Sequence, residues 1–203
     1  MYLGALLEDQ IDVVRLREVL DGLGHIGRVD TIRQWDGRTQ ARLYEAVKGL
    51  VPLTLEHFVP SGTPPLTEVI HWGKNSLPTL THFQKRFCKS NEGDELCGYN
   101  HNDFPASAGG VGYFVVHPAE AEGEIDIDYR RIPSTKPDAW PAIVPNTHGL
   151  SRFVYQGMID VMRGISKHVS IGRARRSGKM SDNWFVLCRE DPLSSVRPGP
   201  GPD

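Results

Sequence analysis

Glu124-Ile125-Asp126-Ile127-Asp128-Tyr129-Arg130-Arg131-Ile132 alternates ionisable and apolar residues strictly from Glu124 to Arg130. A period of two is the signature of a β-strand, whose successive side chains point to opposite faces. Ile125, Ile127 and Tyr129 therefore share one face, and Glu124, Asp126, Asp128 and Arg130 the other, as expected of antiparallel sheet with one dry and one wet side. In an open sheet the apolar face packs under helices and the carboxylates meet solvent. In a closed barrel the charged face can instead line the interior, and the two carboxylates become site residues.

The same period recurs upstream in residues 67–72, 79–87, 94–101 and 111–117. Their connections carry Asn75, Asn91-Glu92-Gly93, Gly109-Gly110 and Glu122-Gly123, the residue types that turns favour, so five successive strands are expected to form a meander. A hairpin over 168–176 and 183–190, joined around Ser177-Gly178-Lys179, closes the strand-rich region. Between the two lies a loop with Pro133, Pro137, Pro141 and Pro145, whose prolines forbid helix or central strand and suit a lid or an edge cover.

Helical spacing dominates before residue 60. Leu16, Val19, Leu20 and Leu23 form one stripe, stopped by Gly22 and Gly24; Asp36 caps a second helix through Gly49, with Ala41, Tyr44 and Val47 on one face. Pro60-Ser61-Gly62-Thr63-Pro64-Pro65 breaks regular structure. From Ser151, the spacing Val154, Met158, Val161, Met162, Ile165 predicts one late helix. The expectation is an α+β chain: an N-terminal helical segment, 1–60, packing on a strongly curved antiparallel sheet or β-barrel, 66–191, lipocalin-like or cone-like, with a disordered tail, 192–203.

At 203 residues the chain is long enough for a substantial core, and 39% hydrophobic with 24% charged residues excludes a disordered or membrane-embedded composition. A formal charge of -2 gives no global attraction to nucleic acid or anionic lipid. Three cysteines, Cys88, Cys97 and Cys188, do not complete a disulfide framework or a zinc ribbon and suit a reducing compartment. With no signal peptide visible and no apolar run long enough to span a bilayer, a cytoplasmic location is expected.

Phosphate loops, dinucleotide fingerprints, nucleophile elbows and His-Glu-x-x-His are absent from the sequence, which turns attention to chemistry without a cofactor. The densest polar cluster is Tyr99-Asn100-His101-Asn102-Asp103, at a strand end where sites tend to sit, although Asn-rich turns commonly satisfy only their own backbone. His101 is the candidate base, with Tyr99 or His82 as donor. His71 and Trp72 on a neighbouring strand, Tyr113, and the Asp126, Asp128 and Arg130 set are candidate ligand contacts, against the plainer alternatives of core packing and a lateral ion pair. His71, His82 and His101 lack the spacing of a metal site, and no metal is expected. Arg173, Arg175, Arg176 and Lys179 cluster at the hairpin tip without interleaved aromatics, so nucleic acid is not an expected partner.

These features suit a small-molecule enzyme with an apolar pocket and cofactor-independent acid/base chemistry of the isomerase, cyclase or lyase type. The alternative is a carrier or sensor of a small hydrophobic ligand. The expected partner is a small apolar or aromatic molecule, with no membrane and no cofactor, and a homodimer is left open.

Overall fold

The computed structural model describes residues 7, 11–78, 81–91, 95–101, 111–148 and 151–191. Among these residues eight strands run in chain order: β1 Val69–Asn75, β2 His82–Lys89, β3 Leu96–His101, β4 Tyr113–Pro118, β5 Ile125–Asp128, β6 Met158–Gly164, β7 Val169–Arg176 and β8 Lys179–Arg189. Each pairs antiparallel with the next, and β8 returns to β1 through pairs such as Gly73↔Leu187, so the sheet is a closed barrel without edge strands.

The fold settles the polarity of the alternating stretch at 124–132. Ile125, Ile127 and Tyr129 belong to the apolar interior together with Phe87, Phe114, Met162, Phe185 and Leu187. Asp126 and Asp128 face outward, where they meet Arg175, Arg130 and His117. Closure thus did not turn the charged face inward, because the large apolar side chains of β5 fill the barrel.

Glycines make room for those side chains. A Cβ on Gly98 would lie 2.1 Å from the Arg86 carbonyl oxygen and 2.7 Å from the Phe114 ring, and one on Gly172 would lie 2.3 Å from the Phe185 ring. Bare backbone at these positions lets aromatic rings lie flat across the interior.

Among the described residues four short helices precede the barrel: α1 Val13–Gly22, α2 His25–Arg33, α3 Gly37–Ala46 and α4 Leu55–Phe58. Asp12 caps α1 by accepting from the Arg15 amide at 2.9 Å, and Asp36 caps α3 by accepting from the Thr39 amide at 2.7 Å. Leu16, Leu20, Ile32, Leu43, Tyr44 and Val47 bury against Val169, Ile171, Val186 and Cys188 on the outer face of β7 and β8. Those two strands are therefore covered on both sides. Arg163 of β6 fastens α3 to the barrel: it donates to the Tyr44 carbonyl at 2.8 Å and to Glu124 at 2.6 Å.

The end of the barrel that receives Leu53, Phe58 and Val59 is plugged. Phe58 stacks on His71 at 5.7 Å and packs against Phe87 at 5.2 Å. The proline-rich loop forms an outer cover, with Trp140 packed against Tyr99, Tyr113, Cys88 and Cys97. Trp140 donates its indole N–H to Glu68 at 2.6 Å, and Asn146 donates to the carbonyls of Tyr113 and Tyr129 at 2.7 and 2.8 Å.

Two expected elements differ. The late helix is only one turn, α5 Ser151–Val154, after which the chain enters β6. Its apolar spacing mimics a helix because β6 is buried on both faces: Met162 points inward and Ile159 and Val161 outward, all nearly inaccessible. The second difference is α2, an additional helix between the two expected ones. The tail, Asn102, Asp103 and the Gly109-Gly110 turn lie outside the described residues.

Candidate functional site

Opposite the plugged end, the barrel holds a cavity of about 500 Å³. Phe83, Tyr129, Tyr155, Trp184 and Phe185 supply its aromatic wall, with Leu77, Val154, Met158 and Ala174 completing the apolar part. Tyr155, just after α5, stacks on Tyr129 with ring centres 5.1 Å apart. Asn75, Ser181, Asn183 and Arg176 add polar groups to the lining.

Lys85 is, with Asp160, a buried charged group in the lining of this cavity. The alternation Phe83-x-Lys85-x-Phe87 on β2 drives it inward with its apolar neighbours, and it is only 2% exposed. Its ammonium donates to Asn100 Oδ1 at 2.9 Å, to Asp160 Oδ2 at 3.0 Å and to the Tyr129 hydroxyl. Asn100 in turn donates its amide to the Tyr129 hydroxyl at 2.9 Å. Four rings surround the ammonium, those of Tyr129 and Phe185 at 4.9 Å, Phe114 at 5.3 Å and Phe83 at 5.7 Å. These aromatic faces and Asp160, which is 2% exposed, compensate a charge that otherwise has no place in a barrel interior.

Burial pushes Lys85 below the ordinary lysine range, against the opposing pull of Asp160. Burial, reinforced by the Asp160 charge, holds the Tyr129 phenol well above its ordinary value, so it remains a proton donor. The four groups form one connected network in which an amine, a carboxylate and a phenol lie within direct proton-transfer distance. Among the described residues no group of three or more His, Cys, Asp or Glu is placed to hold a metal ion.

The residues singled out in the sequence fall elsewhere. Tyr99 and His101 do meet, hydroxyl to Nδ1 at 3.3 Å, but the Tyr99 ring belongs to the outer layer under Trp140. His82 is exposed, and with His101, Trp72 and Arg33 it borders an outer groove of about 310 Å³. His71 is inside the barrel but toward the plug, Nε2 3.0 Å from the Phe58 carbonyl; burial holds its imidazole down to about 3, keeping it neutral. Tyr113 is buried under the outer loop and donates to the Pro141 carbonyl at 2.5 Å.

Asp126, Asp128 and Arg130 are brought together on the outer wall, beside His117 and Arg175. Arg130 grips Asp128 through Nε at 2.9 Å and Nη2 at 2.8 Å. Burial alone would raise Asp128, but these hydrogen bonds outweigh it and hold the carboxyl below its usual range, whereas burial raises Asp126. Asp126 and Arg130 also border an outer groove of about 540 Å³, separate from the barrel cavity.

Lys85 and Asp160 were not among the sequence candidates, though a signal existed. Each is an ionisable residue at an apolar-face position, between Phe83 and Phe87 in one case and between Met158 and Met162 in the other. A charge placed where alternation demands an apolar group marks an interior site. Compared with family models, curated proteins and solved structures, the chain matches none of them.

Proposed function

We propose that the chain binds a small molecule with an aromatic or otherwise apolar body and a polar, hydrogen-bond-accepting end, seated inside the barrel. The observation that carries this reading is Lys85, held by Asp160, Asn100 and Tyr129 at the floor of an aromatic-walled cavity of about 500 Å³. That volume falls within the roughly 300–1,000 Å³ of small-molecule sites, and a few convergent polar groups in an apolar pocket are the usual means of fixing a ligand's orientation. No helix among the described residues is long and apolar enough to cross a membrane.

A second reading, catalysis of proton transfer of the isomerase, cyclase or lyase type, draws on the 3.0 Å contact between Lys85 and Asp160. An amine and a carboxylate in contact inside an aromatic-walled cavity supply a base and an acid without a cofactor. Native mass spectrometry of the purified protein tests both. A co-purifying small molecule that is released unchanged on denaturation and survives incubation supports the carrier, and one that is converted on incubation supports the catalyst. Failure to retain any member of a library of aromatic small molecules argues against ligand binding in the barrel.

A further inference from the structure

We propose that Lys85 is a covalent attachment point, condensing through its amine with an aldehyde or ketone group of the ligand to form an imine inside the barrel. This rests on the reading that the cavity is a ligand site. The placement argues for it. Lys85 is 2% exposed yet lines the cavity, so a molecule that slides between the Tyr129 and Phe185 rings presents its leading end to the amine. Exposed lysines such as Lys48, Lys167 and Lys179 have no such enclosure.

The partners match what the condensation needs. The Lys85 ammonium passes a proton to Asp160 Oδ2, 3.0 Å away, and the freed electron pair attacks the carbonyl carbon, forming the C–N bond. The carbonyl oxygen takes a proton from the Tyr129 hydroxyl, which recovers one from the nitrogen, giving a neutral carbinolamine. Protonation of its hydroxyl by Asp160 expels water and leaves a protonated imine beside the restored Asp160 carboxylate. Overall, ammonium and carbonyl give iminium and water, with charge conserved. Burial, which disfavours the charged amine, assists the first step. Asn100, 2.9 Å from Lys85 and donating to Tyr129, positions both groups. The aromatic walls limit the return of water and so protect the imine from hydrolysis.

The test uses the full chain with naphthaldehyde and sodium cyanoborohydride, followed by intact mass and peptide mapping, alongside a fluorescence titration with naphthylmethanol, which lacks the carbonyl. The expected result is one adduct per chain, mapped to Lys85 and formed about tenfold or more faster than at any exposed lysine, as enclosure of both reactants implies. Lys85→Arg should lose that adduct. Mapping in the unaltered protein decides the matter even if the variant does not fold. Naphthylmethanol binding without labelling of Lys85 overturns the imine and leaves the ligand site standing; binding of neither compound overturns both.

Discussion

At the residue scale, Lys85 and Asp160 form a buried ion pair whose members depend on each other. Removing one partner leaves an uncompensated charge, so Lys85→Met should lower the unfolding free energy by about 3–5 kcal/mol. Adding Asp160→Leu removes the stranded carboxylate and should recover most of that loss, a coupling that urea unfolding of the single and double variants measures. His71 supplies a second residue-scale expectation. Its unfolded form binds a proton below about pH 6.5, while burial keeps the folded form neutral down to about 3. The unfolded state therefore binds more protons across that window, and stability falls as pH falls through it, by about 1.4 kcal/mol per pH unit from this group. His57, half-buried and likewise held well below its ordinary value by desolvation, acts with the same sign. His71→Gln should flatten the slope between roughly pH 6 and pH 4 by one proton's worth, and an unchanged slope would assign the acid sensitivity elsewhere.

At the scale of the element, what was legible depended on whether a strand's two faces differ. β5 announced itself because Ile125 and Ile127 point into the barrel while Asp126 and Asp128 point out. β6 did not, because Ile159 and Val161 are buried outside as Met162 is buried inside, and apolar residues on both faces erase the period of two. The same double burial concealed Asp160 among its apolar neighbours. His101 and Tyr99 stood out for the opposite reason: a polar strand end is conspicuous in sequence whether or not it faces a cavity. Pairing between β2 and β3 depends on the missing side chain of Gly98, since any Cβ there meets the Arg86 carbonyl at 2.1 Å. Gly98→Ala must push backbone as well as the Phe114 ring and should cost about 3 kcal/mol or more. A urea midpoint equal to that of the parent would mean the two strands part more easily than their register implies.

At the scale of the whole molecule, closure is what turns these elements into a container. Curvature was legible as a choice between cone and barrel, but the β1–β8 pairing that closes it joins segments more than a hundred residues apart, and local patterns carry no information about it. The helices that pack on β7 and β8 and the Phe58 plug occupy one side and one end, leaving the other end to the cavity around Lys85. Ala174 of β7 lines that cavity with a side chain of one carbon, so Ala174→Phe fills ligand space. The most direct measurement is a fluorescence titration of naphthylmethanol against the parent and Ala174→Phe, with circular dichroism to establish that both are folded. Saturable binding by the parent that weakens about a hundredfold, or nearly 3 kcal/mol, in Ala174→Phe is the expected result. Equal affinity in the two proteins, or no binding by the parent, would contradict a ligand site inside the barrel.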